Sequence, residues 1–497
     1  MTKHAYLFAG SAAVALLLAA TAVALGGGTT TPPPQPTATP VPPRTTATVT
    51  VDAGKDLGTL NNPADYHNQS GPAWLLGPAD VTRVAALRPK VVRAWIKPHH
   101  YYVAETGEFR FDYLTESGTT VYQYLDQVAA HSDTIVGNFD QCAQDLMRRS
   151  DPTECRRVLK AGLLHYKKRY PTLRYIELFN EPDKTWEPSR IEQPAIALDD
   201  YYRWYQVGYE VVREVNEELR PELPLEIGGP ATYMFNEKYL RGFLDKYAAD
   251  TNPAKQLAFI SYHQYRERAR PAVVAKERDT VRDWLAERRL NPDRRIFVTE
   301  YGVFPGANKG RTFEADLLVQ AAAMATLGRY YTYSGIDMAM HWTYDHLDNE
   351  RKSMLVDETD GGVYPYYNLV LMQRMLRSRL LPAESTAVDK AGIGVTATAS
   401  RDDRSVAVLV TNYQWTEGHD AHDVELVVDN LPEVIAGRSV TVERYLVDSR
   451  TSNWVHDPAS AELQRVENRR AQVGTGTRLS FHLEPNAMTL VVLTVNR

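Results

Sequence analysis

Two glutamates at the ends of apolar segments are the residues best suited to carry chemistry. Glu181 closes a segment that begins at Ile176, and it lies within the tetrapeptide Asn-Glu-Pro-Asp. Glu300 closes a segment that begins at Ile296 and is followed by Tyr-Gly. A carboxylic acid that donates a proton, paired with a carboxylate that attacks carbon or activates water, can hydrolyse a glycosidic bond. Carboxyl groups about 5–5.5 Å apart give retention and groups about 6.5–9.5 Å apart give inversion, and the sequence leaves both outcomes open.

The elements between residues 50 and 385 would bring these glutamates together. Eight short apolar segments alternate with helical patterns, which predicts a (β/α)8 TIM barrel. In such a barrel, polar residues at the carboxyl ends of the strands face the catalytic mouth, where strands four and seven lie opposite each other. A doubly wound open sheet is the alternative, but no GxGxxG or GxxxxGK(S/T) motif follows a predicted strand. The predicted strands are Leu57–Asn61, Val91–Lys97, Thr134–Asp140, Tyr175–Pro182, Leu225–Ala231, Phe259–Tyr265, Arg295–Gly302 and Asp337–Asp345.

Amphipathic helices separate these strands. In Tyr202–Leu219, the apolar residues Tyr205, Tyr209 and Val212 recur at three- and four-residue steps, and Pro221 ends the pattern. The same periodicity predicts helices at Val121–Val128, Val158–Tyr170, Tyr239–Tyr247 and Leu317–Ala325.

The remaining sequence divides into three regions. Residues 1–25 place Lys3 and His4 before an apolar run, which fits a signal peptide or a membrane anchor and predicts an extracellular or cell-surface location. Residues 26–49 are rich in threonine and proline and are predicted to form an extended linker. Residues 386–497 predict an antiparallel β-sandwich, which we interpret as a cover for the barrel's flank, with independent sugar binding as the alternative. Its predicted strands are Gly392–Ala399, Ser405–Tyr413, Asp423–Val428, Ser439–Val447, Thr477–Leu483 and Met488–Val495.

Charge and cysteine content bear on partners and cofactors. The 497 residues carry a net charge of −6 with no long basic run, which argues against nucleic acid as a partner. Histidines and cysteines do not stand at metal-ligand spacing, so neither a metal nor a cofactor is predicted. Cys142 and Cys155 are compatible either with one disulfide or with two free thiols, and the oligomeric state stays open.

The two glutamate motifs resemble those of a known group of enzymes. Asn180 to Asp183 after a fourth strand, with Thr299 to Gly302 after a seventh, is similar to the clan of retaining (β/α)8 glycosidases. Within the clan the sequence is most similar to glycoside hydrolase family 39, which includes β-xylosidases and α-L-iduronidases. The resemblance spans residues 50–385 and extends to the segments Gly228–Ala231, Ser261–Tyr265 and His341-Trp342.

The resemblance implies a role for each site residue. Glu181 would be the general acid/base and Glu300 the nucleophile. Asn180 would bind the 2-hydroxyl of the sugar in subsite −1, the sugar whose anomeric carbon reacts. His263 and Trp342 would line the same sugar, Tyr265 would hydrogen-bond Glu300, and Arg93 would add positive charge near it. Apart from the resemblance, Asp183, Trp186 and Glu187 lie on the loop after Glu181, which makes them candidates for contact with a leaving-group sugar.

Elementary electrostatics supports this division of roles. A nucleophilic carboxylate needs a low pKa, which positive charge and hydrogen bonds provide, whereas burial or a neighbouring negative charge raises the pKa of an acid. Arg93 and Tyr265 are candidate partners for Glu300, so Glu300 is predicted to be ionised and Glu181 protonated.

The sequence therefore predicts a secreted glycoside hydrolase that cleaves O-glycosidic bonds of an oligo- or polysaccharide by a retaining double displacement. The alternative is a non-catalytic carbohydrate-binding protein on a decayed barrel, against which the intact Glu181, Glu300 and Asn180 argue. A metal-dependent barrel hydrolase would need a His-x-His after the first strand, and the segment around Leu60 has none. The identity of the sugar and its anomer stays open.

Overall fold

The computed structural model describes residues 44–71, 75–115, 118–139, 152–185, 195–266, 272–303, 312–345, 353–356, 359–415 and 420–496. The predicted signal or anchor segment 1–25, the linker up to residue 43, and Cys142 lie outside these ranges, so the predictions on them stay predictions. Within the ranges, we find no helix with the length and apolar character that a bilayer crossing requires.

The strands and helices are numbered in chain order. The strands are β1 Arg44–Asp52, β2 Tyr66–Asn68, β3 Val91–Ile96, β4 Tyr102–Val103, β5 Glu108–Phe109, β6 Thr134–Phe139, β7 Leu173–Leu178, β8 Glu226–Thr232, β9 Phe259–Arg266, β10 Arg295–Val303, β11 Met338–His341, β12 Arg379–Leu381, β13 Ala383–Ser385, β14 Gly394–Arg401, β15 Ser405–Tyr413, β16 Ala421–Asp429, β17 Ser439–Val447, β18 Gln464–Gln472, β19 Thr477–Leu483 and β20 Met488–Val495. The helices are α1 Pro78–Leu87, α2 Pro98–Tyr101, α3 Val121–Ala130, α4 Pro152–Arg169, α5 Leu198–Leu219, α6 Glu237–Ala249, α7 Ala272–Glu287, α8 Phe313–Ser334 and α9 Pro365–Arg374.

Eight parallel strands close a barrel in the order β2-β3-β6-β7-β8-β9-β10-β11, with β11 pairing back to β2. Helices connect the strands, so the predicted TIM barrel is confirmed. Helix α5 shows why the sequence pattern is informative: the buried residues Tyr201, Tyr205, Tyr209 and Val212 lie three or four positions apart and share one face. The fourth strand is β7, which leads to Glu181, and the seventh is β10, which contains Glu300.

The predicted first strand at Leu57–Asn61 is wrong. That segment hydrogen-bonds instead with the chain around β12, through Leu57 N–H to Leu380 O at 2.9 Å and Leu60 N–H to Ser378 O at 2.8 Å. The first barrel strand is β2, whose sequence Tyr-His-Asn contains no apolar run. A strand of three residues, two of them polar, is too short to show a periodic apolar signal in the sequence.

The sandwich consists of a four-stranded sheet, β13-β1-β16-β19, and a six-stranded sheet, β12-β14-β15-β20-β17-β18. The predicted boundary at residue 49 between linker and barrel is therefore wrong, since β1 belongs to the sandwich and pairs in parallel with β16. Alternation explains this placement: Ala47, Val49 and Val51 are buried in the sandwich core, while threonines occupy the positions between them. The strand was not predicted because its threonines resemble the threonine-rich composition of the linker that precedes it.

Other strands of the sandwich also differ from the prediction. Strand β18 was not predicted because it lies at the sheet edge and its side chains are largely exposed, so it carries little apolar signal.

Helix α8 joins the barrel to the sandwich: Arg329 donates to the carbonyls of Ala383 and Ala397, and the Tyr333 hydroxyl donates to the carbonyl of Leu381.

Candidate active site

The barrel interior changes from apolar to polar toward the carboxyl ends of the strands. A buried apolar layer is built from Val91, Val136, Tyr175, Phe259, Phe297 and Met340, one from each of six strands. Two residues farther along the strands, a fully buried polar layer follows, which includes Asn68, Arg93, Asn138, Glu177 and Ser261. Side chains two residues apart on one strand face the same side, so both layers face the interior of the barrel. The apolar layer fills the interior, and the polar layer lies between it and the mouth.

A β-bulge turns Glu300 into the mouth. Phe297 faces the interior, so regular alternation would point Glu300 away from it. The pairing between β10 and β9 shifts between Val298 and Glu300, which leaves Glu300 in register with His263. His263 lies on the interior face of β9, two residues beyond Ser261, and therefore Glu300 faces the interior as well.

Two residues with left-handed backbone orient the other glutamate. Phe179 and Glu181 have φ angles of 64° and 50°, a region that non-glycine residues adopt at a cost and mostly at functional sites. This backbone turns the chain after β7 so that the consecutive residues Asn180 and Glu181 both reach the mouth. Neighbouring strands hold the turn: the Glu181 N–H donates to Ala231 O at 3.0 Å, and the Asn138 amide donates to Phe179 O at 3.0 Å.

The two glutamate side chains meet at one point. One carboxylate oxygen of Glu181, one of Glu300 and a ring nitrogen of His263 all lie within 4.8 Å of one another. The two glutamates are 3% and 5% exposed. The Nδ1 atom of His263 lies 2.8 Å from Oε1 of Glu181 and 3.5 Å from Oε2 of Glu300. The structure thus brings the ends of the fourth, sixth and seventh strands to a single site.

Arg93 and Tyr265 both bind the carboxylate of Glu300. Arg93, which is fully buried on β3, donates through Nη1 to Oε1 of Glu300 at 2.6 Å. The Tyr265 hydroxyl donates to Oε2 at 2.7 Å. Burial and then the charge of Glu300 raise the pKa of Tyr265 well above its usual value, so the phenol keeps its proton and remains a donor. Both contacts favour the ionised form of Glu300.

Glu181 has the opposite environment. Burial, followed by the negative charge of Glu300, raises its pKa well above the ordinary glutamate value. Its Oε1 atom faces His263, and its Oε2 atom is buried and has no hydrogen-bond partner among the described residues. Of the two carboxyl groups, Glu181 is therefore the one that holds a proton more tightly, and Oε2 is the atom available to a ligand in the mouth.

His263 is neutral. Burial, together with the charges of Arg93 and Lys184, lowers the pKa of His263 well below its usual range. The contact between Nδ1 of His263 and Oε1 of Glu181 has the same geometry for either tautomer, and we assign the Nδ1–H form. In that form the ring donates to Oε1, and the carboxyl proton of Glu181 occupies Oε2. His263 therefore contacts the carboxyl group of Glu181 directly. The sequence resemblance had implied only that it lines the sugar in subsite −1.

Arg93 is the centre of the network. It donates through Nε to Glu177 at 2.7 Å, through Nη2 to Oδ1 of Asn180 at 2.8 Å, and through Nη1 to Glu300 and, at 3.4 Å, to Asn68. Sequence reasoning missed Glu177 and Asn68. The signal for Glu177 was present, since a glutamate two residues after the buried Tyr175 must face the barrel interior. Asn68 lies on the short strand that the sequence did not reveal.

Aromatic and cationic side chains border the site. Trp342 follows β11 and meets Trp95 edge to face, with ring centroids 5.8 Å apart, and the guanidinium of Arg93 lies 5.1 Å from the Trp95 ring. On the Glu181 side, the Lys184 ammonium lies 3.6 Å from the centroid of the Tyr233 ring. Indole faces and a cation at the mouth suit the apolar faces and the polar groups of a sugar.

The loop after Glu181 is partly described. The Asp183 carboxylate accepts from Tyr233 N–H and from the Asn236 amide, both at 2.8 Å, which anchors the start of the loop to the chain after β8. Trp186 and Glu187 lie outside the described residues, so their predicted contacts with a leaving group stay predictions.

Glu181, His263 and Glu300 are also residue types that bind metals, and their spacing is close enough for a single ion. Both oxygens of Glu300 already accept hydrogen bonds, and the buried guanidinium of Arg93 beside them disfavours a second cation. The arrangement fits an acid and a nucleophile better than a metal centre, and the absence of a metal stays a prediction.

Comparison with solved structures bears on the fold. No protein-family model matches the chain. A glucosidase from Croceicoccus marinus is 16% identical, with a TM-score of 0.67 over 91% of this chain and 99% of that one. A family 39 glycoside hydrolase from Xanthomonas axonopodis pv. citri is 14% identical, with a TM-score of 0.66 over 91% and 98%. A bacterial orthologue of human α-L-iduronidase is 13% identical, with a TM-score of 0.70 over 91% and 84%.

The chain has a family 39-like glycosidase fold. At these identities the likeness shows the fold, and the chemistry has to be argued from the side chains. In this fold, the seven residues predicted from the sequence, Arg93, Asn180, Glu181, His263, Tyr265, Glu300 and Trp342, come from five strands or their ends and converge on the mouth of the barrel.

Proposed function

We propose that the protein is a retaining glycosidase that cleaves O-glycosidic bonds in an oligo- or polysaccharide outside the cytoplasm. The observation that carries the proposal is the approach of the Glu181 and Glu300 carboxyl oxygens to within 4.8 Å. Retaining glycosidases place their carboxyl groups about 5–5.5 Å apart, whereas inverting enzymes need about 6.5–9.5 Å to admit water between them. The location outside the cytoplasm rests on the N-terminal sequence pattern.

The first step would be glycosyl transfer to the enzyme. The Glu300 carboxylate attacks the anomeric carbon while the bond from that carbon to the leaving oxygen breaks. The proton on Oε2 of Glu181 passes to the leaving oxygen, and Glu181 becomes a carboxylate. His263 supports this step from Nδ1, because its hydrogen bond to Oε1 keeps the transferable proton on Oε2.

The second step would reverse the roles. Once Glu300 is an ester it has lost its charge, and that charge is the second cause of the raised pKa of Glu181. The pKa of Glu181 therefore falls, and its carboxylate can take a proton from water as the water oxygen attacks the anomeric carbon. The ester bond breaks and Glu300 leaves as a carboxylate, which Arg93 and Tyr265 stabilise. Two inversions give net retention.

Asn180 would bind the sugar beside the reacting carbon. Its amide oxygen accepts from Arg93, so its amide nitrogen is the group that can donate to the 2-hydroxyl. Because the structural neighbours include a glucosidase and an α-L-iduronidase orthologue, pyranosides are the first substrates to test.

The test begins with a panel of aryl glycosides and wall polysaccharides, with NMR of the first-formed anomer. For the substrate that is cleaved, Glu300→Ala should abolish hydrolysis, and azide should restore turnover and give a glycosyl azide of inverted configuration. Glu226→Gln, which changes an ion-paired glutamate at the start of β8, is the matched control and should keep its activity. An inverted first product from the native enzyme, or azide rescue of Glu181→Ala in place of Glu300→Ala, would contradict the proposed mechanism. Carbohydrate binding without turnover would support the decayed barrel.

A further inference from the structure

Arg93 binds a second carboxylate besides Glu300. Glu177 and Arg93 are both 0% exposed, and Nε of Arg93 donates to Oε2 of Glu177 at 2.7 Å. The distance from Nη1 to Glu300 is 2.6 Å, so one guanidinium serves two buried carboxylates. The other oxygen of Glu177 is buried and has no hydrogen-bond partner among the described residues. A buried carboxylate is costly, and its ion pair with the guanidinium that also binds the nucleophile calls for a physical reason.

Position explains how Glu177 acts on Arg93. Arg93 lies on β3 and Glu177 on β7, so the guanidinium reaches across β6, where Asn138 stands in register with Glu177. On the other side, Glu177 is in register with Gly228 of β8, which carries no side chain. With Nε held by Glu177, the two terminal nitrogens of the planar guanidinium point toward Glu300 and Asn180. Glu177 thus sets the direction in which the two terminal nitrogens of Arg93 point.

Glu177 also changes how strongly the charge of Arg93 acts on Glu300. A guanidinium whose only anionic partner was Glu300 would hold that carboxylate more tightly and make it a weaker nucleophile, since nucleophilicity falls as the charged form is stabilised. A second negative charge beside the guanidinium weakens its attraction for Glu300. After the first step, Glu300 is a neutral ester, and the positive charge of Arg93 is then balanced by the negative charge of Glu177 alone.

We propose that Glu177 is a positioning residue for the nucleophile: it orients Arg93 and offsets its charge, so that Glu300 stays ionised but reactive. This inference rests on the proposed function. The titratable and charged groups that interact with Glu300 include Arg93 on β3, His263 and Tyr265 on β9, and Glu181 and Lys184 after β7. Those that face Glu177 are Arg93 and Tyr201 of α5, and burial raises the pKa of Tyr201 so far that the phenol stays neutral.

The test is Glu177→Gln, which keeps an acceptor for Nε of Arg93 and removes one negative charge. The carboxyl carbon of Glu300 is titrated by NMR in the ligand-free enzyme labelled with 13C-glutamate, and its signal is assigned by its loss in Glu300→Gln. We expect the midpoint of the Glu300 titration to fall by at least about one pH unit, because a like charge bound to the same buried guanidinium is removed. The acid limb of kcat/KM should move the same way, with kcat reduced about tenfold or more.

Glu226→Gln is the control for a charge change elsewhere, because Glu226 pairs with Arg174 and Arg295 at the start of β8. It should leave the Glu300 titration unchanged. An unchanged or raised midpoint in Glu177→Gln would overturn the proposal. A Glu177→Gln protein that does not fold, while Glu226→Gln folds, would make Glu177 a structural residue and would also overturn it. The NMR measurement needs no turnover, so a native enzyme that cleaves no glycoside would refute the proposed function while the titration still decides the role of Glu177.

Discussion

Replacement of Glu300 by glutamine should lower the pKa of Glu181, because the charge of Glu300 is the second cause, after burial, of its raised value. One oxygen of each carboxyl group lies within 4.8 Å of the other. At that distance and an effective dielectric constant of about 20, two unit charges interact by roughly 3.5 kcal/mol. Since about 1.4 kcal/mol corresponds to one pKa unit, the pKa should fall by about 2.5 units.

The assay is a 13C NMR titration of the Glu181 carboxyl carbon in native enzyme and in Glu300→Gln, with assignment from the spectrum of Glu181→Gln. Glutamine has nearly the same size as glutamate, so burial of Glu181 stays the same and the change reports charge alone. Glu226→Gln should leave the titration where it is in the native enzyme. If the pKa of Glu181 moved by less than half a unit, the switch from acid to base between the two steps would lose its electrostatic basis, and the reasoning would be refuted.

Three further outcomes follow from the contacts of the site. His263→Phe removes the hydrogen bond to Oε1 of Glu181, so kcat/KM should fall about 10- to 100-fold for glycosides with poor leaving groups. The loss should be much smaller for activated aryl glycosides, which need little help from an acid. Equal losses for both substrates would exclude a role of His263 through the acid. Asn180→Ala should lower kcat/KM by about tenfold or more on the natural glycoside and far less on its 2-deoxy analogue, and equal losses would place the 2-hydroxyl elsewhere. Because the folded protein raises the pKa of Glu181 above 4.5, the native protein binds this proton more tightly than the unfolded chain does, and its stability falls as pH rises from about 4.5 through the raised pKa. Thermal unfolding should therefore show Glu181→Gln gaining stability relative to the native protein across that interval, and a constant difference between the two would contradict the pKa shift.

Local patterns in the sequence were sufficient for the architecture of the barrel. Apolar runs followed by helical periodicity predicted seven of the eight barrel strands, since each signal lies within one element. They failed where a strand serves something other than an apolar core. Strand β2 is too short and too polar to show an apolar pattern, and β1 appears as a linker because every second residue of a sandwich strand faces away from the core and can be threonine.

Motifs at strand ends also revealed which carboxyl groups to consider, but alternation alone would have pointed Glu300 the wrong way. The bulge before Glu300 and the left-handed backbone at Phe179 and Glu181 orient the two side chains, and both depend on pairing with strands distant in the chain. The contact between Arg93 and Glu177 likewise exists only across an intervening strand.

The residue types and their order along the chain thus specify a barrel with two glutamates at its rim. The protonation states of those glutamates, the guanidinium that Glu300 shares with Glu177 and the distance between the two rim glutamates arise only when eight strands close, because burial and Coulomb energy depend on separations in space that residue numbers do not contain.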